Sequence, residues 1–368
     1  MHISIKEPSY STILLWTKKL GYFQLEKKIK KADDWVIILD ESVEFGHDKL
    51  LVIYGIQSKN ISFKRPLNYE DLTPLLIASS PTWTGEMINK EINKIKQQYG
   101  GIIYAVADGG NAIKKGLSLA KIPHVYDITH KFAWFLKELY KEYKEFQSYT
   151  KTMAKMRCKL SLSEVSHVLP PNQRFHSRFM NLDIISDWGI KVLNYLESRE
   201  SEERAYKELL WVKNYRSLIM ELSEVNNVLA EIKTMLKTEG MSIKNADKAK
   251  TILTKIQIKN GRTEWLKSSI NQFLDEMIER LPNTNKFVCT SDIIESSFGK
   301  YKGYICNNPM VGITNLALSM AAFTTKIDEK VVRFALENVK VKNKKEWSIE
   351  NIGETNLQRR QRVLRKAG

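Results

Sequence analysis

The stretch from Gly101 to His130, GIIYAVADGGNAIKKGLSLAKIPHVYDITH, constrains the fold more than any other. An apolar run from Ile102 to Ala107 stops abruptly at Asp108, Gly109 and Gly110. A segment of helical length and mixed polarity follows, and a second apolar burst, Ile122 to Tyr126, stops at Asp127. This is the pattern of strand, turn, helix and strand, with an acid at the carboxyl end of each strand. In open α/β sheets ligands sit at that edge, so two acids there suit a cation. Asp108 is equally a candidate cap for the helix that follows it. The segment alone leaves both readings open.

Upstream, WVIILD is another apolar run ending in an acid, Asp40, and LLVIYGI (Leu50 to Ile56) follows a polar turn. NISFKRPL is a candidate third strand, whereas Leu72 to Ser80 has no clear period. Gly85 to Gln98 reads as a helix closed by a Gly-Gly pair. The order is then strand, strand, strand, helix, strand, helix, strand, an α/β layout with a mixed sheet. The acids meet only if the first strand is central and the Asp108 strand lies beside it. Residues 1–32 form an N-terminal helix and a charged linker. Ile13, Leu14, Trp16 and Leu20 have helical spacing, with Gly21 as the expected stop. That helix is either the end of a small DNA-binding module or a packing helix.

Strand signals cease after residues 33–130. Residues 131–289 read as an all-helical insertion, broken at Pro170–Pro171, Gly240, Gly261 and Pro282, with mixed charge suited to a solvated bundle. Residues 290–345 supply closing helices. TSDIIESSFGKYKGY opens with Thr290 or Ser291 as a cap, and Ile293, Ile294 and Phe298 can face inward with Glu295 on an adjacent face. GITNLALSMAAFTTKIDEKVVRFALENVK reads as one further helical run, and residues 346–368 as a mobile basic tail.

The net charge of +16 and a pI near 9.4 favour a polyanionic partner, because Lys and Arg release counterions from phosphates. A chain rich in Lys, Ile and Asn acquires the same surplus from an A/T-rich genome. Cys158, Cys289 and Cys306 form no CxxC pair, which argues against a disulfide framework or zinc knuckle and fits a reducing compartment. No apolar stretch approaches the roughly 20 residues of a membrane span, and the start lacks the pattern of a signal peptide.

Asp40, Asp108, Asp127 and Glu295 share one chemical possibility. Mg²⁺ takes hard oxygen ligands and keeps room for water and phosphate oxygens. Two such ions about 3.5–4 Å apart can activate the attacking oxygen and stabilise the leaving oxygen of a phosphodiester. Gly109-Gly110 has neither the spacing nor the Lys of a phosphate-cradling loop. Glu41 and Asp292 are the rival ligands. Glu41 alternates to the other side of its strand from Asp40, and Asp292 suits a helix N-terminus.

Four local matches resemble the DDE transposases. VIILDESVEFGHDKLLVIYGI is similar to the hairpin of the first Asp, YAVADGGNAIKKGL to the strand and helix of the second, and SDIIESSFGKYK to the helix of the terminal Glu. Asp127-Ile128-Thr129-His130 resembles the Cys/Asp-x-x-His signature after the last strand. The resemblance implies a ribonuclease H-like fold, a mixed five-stranded sheet flanked by helices and interrupted by a large all-α insertion. It implies Asp40, Asp108 and Glu295 as the catalytic, metal-binding triad, with Asp127 and His130 in support. Two Mg²⁺ ions, with Mn²⁺ able to substitute, would serve water attack at a transposon end and then attack of the freed 3′-hydroxyl on target DNA. Lys300, Lys302 and Arg262 become candidate phosphate contacts, and Trp265 a candidate platform for a flipped base. The implied partners are double-stranded DNA and further copies of the chain, without a membrane. The implied setting is cytoplasmic, at the nucleoid of a prokaryote. Two alternatives remain at this stage: a structure-specific nuclease of the same fold without strand transfer, and a non-catalytic, domesticated DNA-binding protein.

Overall fold

The computed structural model describes residues 7–42, 48–173, 178–198, 203–281, 284–305 and 312–366; Pro282 and Cys306 lie outside them. The apolar runs become strands β1 (Trp35–Glu41), β2 (Lys49–Gln57), β3 (Thr73–Ser80), β4 (Ile102–Ala107) and β5 (His124–Tyr126). They form one five-stranded sheet in the order β3-β2-β1-β4-β5. The β1–β2 and β2–β3 pairs are antiparallel, and β1–β4 and β4–β5 are parallel. This is the ribonuclease H-like mixed sheet, with β1 central and β4 beside it.

The chain divides into two compact units, Met1–Asp127 with Cys289–Gly368, and Ile128–Val288. The first unit holds the sheet with α1 (Tyr10–Leu25), α2 (Gly85–Tyr99), α3 (Asn111–Leu119) and five later helices. The second holds α4 (Ile128–Tyr140), α5 (Lys144–Leu160), α6 (Leu182–Glu197), α7 (Glu203–Leu209), α8 (Arg216–Glu239), α9 (Ile243–Leu253) and α10 (Gly261–Arg280). The first unit then closes with α11 (Asp292–Ile305), α12 (Leu318–Phe323), α13 (Glu329–Asn338), α14 (Val341–Asn351) and α15 (Asn356–Lys366). Among the described residues no helix is long and apolar enough to cross a membrane.

One sheet face is covered by α2 and α3. Ile88, Ile92, Ile95 and Tyr99, spaced to share one helix face, meet Trp35, Ile37, Leu39, Ile53, Ala105 and Ala107 together with Ile113 and Leu117. Thr84 caps α2. Gly100 ends it at φ 107°, where a Cβ would fall 2.2 Å from the carbonyl oxygen of Ala32. On the other face the Tyr54 hydroxyl lies 3.1 Å from Ser297 Oγ of α11 and donates to the Met320 carbonyl of α12 at 3.0 Å.

Five local expectations change. Leu72 to Ser80, without legible period, contains the edge strand β3. Pro74 sits near its start, where the pairing with β2 shifts register, a position an edge strand tolerates. NISFKRPL forms no strand. Ser58–Asn60 is a single 3₁₀ turn, and Arg65 clasps Asp71 through two bonds of 2.6 and 2.7 Å to close the loop. Gly21 does not stop α1, which runs on to Leu25. It lies where α1 meets α12, and a Cβ there would stand 1.8 Å from the Leu318 carbonyl oxygen. The run after Gly312 is not one helix, since Asp328 caps a fresh start at α13. The basic tail is helical, with Arg359 3.1 Å from Asp48.

In the second unit α6 packs on α8, α8 on α9, and α10 on α4 and α9. Tyr140, Phe146 and Tyr149 are fully buried there.

Candidate active site

Asp40 is the penultimate residue of β1, and Asp108 directly follows β4. In the parallel β1–β4 ladder Ile38 pairs with Val106. The paired register ends there; carried two residues further on each strand it would set Asp40 level with Asp108, which lies just beyond β4. Side chains alternate along a strand, and partners across a ladder share a face. Ile37 and Leu39 point into the core under α2 and α3. Asp40 therefore shares the other face with Ile38, whose partner on β2 is Tyr54. That is the face on which Tyr54 meets α11.

Asp127 supplies the second anchor for that helix. Its backbone N–H extends the β4–β5 ladder to the Ala107 carbonyl at 2.8 Å. Its carboxylate is 1% exposed and accepts from the Ser291 hydroxyl at 2.8 Å and from the Ser291 backbone N–H. Ser291 immediately precedes α11. The helix is thus tied to the end of β5 at its start and to β2 at Ser297. Between β5 and β2 in the sheet lie β4 and β1, so the turn that bears Glu295 passes over the strands of Asp108 and Asp40. Glu295 is half-buried, with Oε1 shielded from solvent.

Each Asp is also held by its own backbone. Asp40 Oδ1 accepts from the Glu41 N–H at 2.8 Å, and Asp108 Oδ1 from the Gly110 N–H at 2.9 Å. Gly110, rather than Asp108, occupies the N-cap of α3. Among the described residues no group of three or more His, Cys, Asp or Glu side chains is gathered closely enough to hold a metal ion. Asp40 and Asp108 lie at the same edge of adjacent strands, and Glu295 lies on the helix that packs against that sheet face. Their donors are all carboxylate oxygens, which match a hard divalent cation and not a soft one.

The rival acids have other work. Glu41 pairs with Lys49 at 3.4 Å, and Asp292 lies in the first turn of α11, where its charge complements the helix dipole. His130 lies in the first turn of α4, within the helical unit. Lys300 sits 4.1 Å from the centre of the Tyr69 ring and 5.0 Å from that of Phe323, and Lys302 is half-buried on the same helix.

Arg262 departs from the expected phosphate contact. Its guanidinium donates to both oxygens of Glu221, at 3.2 and 2.8 Å, and lies 3.8 Å over the Tyr143 ring. The hydrogen bond to Glu221 raises its pKa despite partial burial. Glu221 also accepts from Tyr140 at 3.1 Å and Asn260 at 2.7 Å, so this buried carboxylate is ringed by donors inside the helical unit. A buried acid needs such partners, and Arg262 supplies the charge. Trp265 is 40% exposed and meets Phe135 edge-on at 6.2 Å. A cavity of about 630 Å³ in this unit, lined by Thr150, Lys151, Arg157 and Cys158 among others, contains none of the acids.

Two residues at the sheet edge escape the sequence reading. Ser291 is legible as a cap, but its bond to Asp127 spans too much sequence to leave a local sign. Lys114 leaves no sign among so many lysines. Its Nζ stands 5.4 Å from the Tyr126 ring centre and 3.7 Å from where a Cβ on Gly109 would lie, which brings a cation beside the Asp108 turn.

No protein-family model matches the chain, and no curated protein matches it. Among solved structures the chain is similar to the "Drosophila P element transposase strand transfer complex", at 12% identity and a TM-score of 0.43, over 89% of this chain and 87% of that one.

Proposed function

We propose that the carboxyl edge of the sheet cleaves and joins DNA strands as a DDE transposase does, with Asp40, Asp108 and Glu295 as the acids that hold divalent ions. One observation supports the reading: β1 and β4 are adjacent and parallel, in register at Ile38 and Val106, so that Asp40 and Asp108 follow at the same edge of the sheet, on the face met by the helix of Glu295. Strand-end acids on adjacent parallel strands make a poor core and a good cation site.

The residue types suit the group, because all their donors are carboxylate oxygens. When bound, two Mg²⁺ ions supply Lewis-acid activation of the attacking oxygen and stabilisation of the leaving oxygen. Asp40 and Asp108 fix their carboxylates through backbone hydrogen bonds, so little reorganisation remains for ligand binding. Asp127, through Ser291, fixes where α11 starts and hence how Glu295 approaches. Lys114 places positive charge beside the Asp108 turn, where a scissile phosphate would gain from it. Hydrolysis of a phosphodiester at a transposon end leaves a 3′-hydroxyl. Attack of that hydroxyl on a second phosphodiester joins the strands and releases the target's own 3′-hydroxyl.

The test is nicking of supercoiled plasmid in Mg²⁺ or Mn²⁺, followed by strand transfer from pre-cleaved ends. Asp108→Ala and Glu295→Ala should abolish both while DNA binding survives. Nicking retained in Asp108→Ala would remove the triad. Nicking by the unaltered protein without strand transfer would reduce the activity to that of a nuclease.

A further inference from the structure

We propose that four lysines on α1 and α14 form a phosphodiester-binding site that grips the backbone of double-stranded DNA, apart from the acid residues of the sheet edge. The assignment rests on DNA being the substrate and does not depend on the cleavage chemistry.

Lys18 and Lys19 are neighbours on α1, Lys344 and Lys345 are neighbours on α14, and the two helices pack together within the sheet unit. Lys344 is 5% exposed. Lysine is among the side chains least often buried, and when buried it is ordinarily paired with an acid. Here none of the four forms an ion pair among the described residues, and Lys19 donates to the Leu336 carbonyl at 2.5 Å. Elsewhere in the unit lysines do find acids, as Lys49 does Glu41, Lys94 Glu91 and Lys115 Glu86. Burial lowers the Lys344 pKa, and the charges of Lys18, Lys19 and Lys345 lower it further. Burial also lowers that of Lys18.

The acids on and beside these two helices have other partners. Burial and Glu350 raise the Glu26 pKa, Glu26, Glu346 and Glu350 together act on Tyr22, and Glu346 also lies 3.5 Å from Lys342. Glu346 directly follows Lys345 on α14, yet among the described residues no carboxylate pairs with any of the four lysines, and Lys19 is met by a backbone carbonyl instead. An anion from outside relieves the mutual repulsion of the lysines. Lys345 is exposed and Lys18 and Lys19 are half-buried, so a phosphate of a duplex backbone would meet their charge at the surface of the helix pair. The net charge of +16 steers the same class of partner to the protein.

The experiment is anisotropy of a fluorescein-labelled duplex of arbitrary sequence with the full chain, in EDTA, across a KCl series. Lys18→Gln and Lys345→Gln should each weaken binding several-fold and reduce the slope of log Kd against log salt by about 0.9, with the double variant losing about twice that. Melting temperatures of these variants should hold or rise, because each removes a like charge. Lys90→Gln, an exposed lysine of α2, should change the slope less than either cluster variant. An unchanged slope in the double variant overturns the site, as does an equal loss in Lys90→Gln. Lysine-dependent binding confined to phosphatidylserine vesicles, or no duplex binding by the unaltered protein, overturns it too. Because EDTA suppresses cleavage, a failed nicking assay and a failed slope change are separate results.

Discussion

Asp127 and Ser291, 164 residues apart in sequence, are joined by two hydrogen bonds that end on one carboxylate oxygen. One residue closes the last strand and the other opens the helix of Glu295, so the contact fixes the helix against the sheet edge. Asp127→Ala should leave the Ser291 N–H and hydroxyl without acceptors in a buried place, at a cost of about 1–3 kcal/mol. Ser291→Ala removes one bond and should cost about 0.5–1.5 kcal/mol. Urea denaturation checks both, and equal midpoints for Asp127→Ala and the unaltered protein would mean that the tie does not form.

Metal binding should need both strand-end acids. Titration of Mn²⁺ followed by the loss of its free electron-spin resonance signal should show at least a roughly tenfold weaker site in Asp40→Asn and in Asp108→Asn, a difference of about 1.4 kcal/mol. Glu41→Gln, on the opposite strand face, should bind as the unaltered protein does. A Glu41→Gln variant that alone loses the ion would move the site across the strand.

Arg262→Ala should act on stability rather than on phosphate affinity. It leaves Glu221, 3% exposed, without the one charged partner it has among the described residues. Breaking a buried pair from one side costs about 3–5 kcal/mol, and the lower end applies because the guanidinium side chain is 30% exposed. Thermal melting reads this directly. A variant that melts normally but shows a shallower salt slope on DNA would restore Arg262 as a phosphate contact.

Gly21→Ala should separate α1 from α12. The added methyl meets the Leu318 backbone oxygen, which cannot rotate away as a side chain can. Overpacking of this kind costs about 1–3 kcal/mol, well beyond the gain that alanine brings to a helix interior. A melting temperature equal to or above that of the unaltered protein would contradict the close approach.

What the sequence disclosed follows from how far each cause lies from its effect. The buried strands β1 and β4 are continuous apolar runs, the pattern of strands covered on both faces, and the acid that ends each run marks the carboxyl edge without further help. β3 is an edge strand, with Pro74 near one end and Ser79 and Ser80 at the other, so its pattern is diluted by what its position tolerates. Gly21 reads locally as a stop, yet the reason for glycine is a carbonyl on a helix some three hundred residues away. The tail reads as loose because it is basic, but Leu, Gln and Arg are good helix formers and Arg359 finds Asp48. At the sheet edge, the positions of Asp40 near the end of β1 and of Asp108 just after β4 are legible because each acid terminates an apolar run. The bond of Asp127 to Ser291, and that of Arg262 to Glu221, belong to contacts that no neighbouring residue announces.

The sheet face that carries Tyr54 is met by α11 and α12, whose residues are encoded after position 289. During synthesis all five strands leave the ribosome well before those helices exist. The nascent protein must therefore hold an apolar sheet surface, with Ile38, Tyr54 and Val106 on it, while more than a hundred further residues are made. Such a surface is a target for aggregation at that stage. Chaperone demand should consequently peak late in translation and fall once the helix beginning at Asp292 has docked.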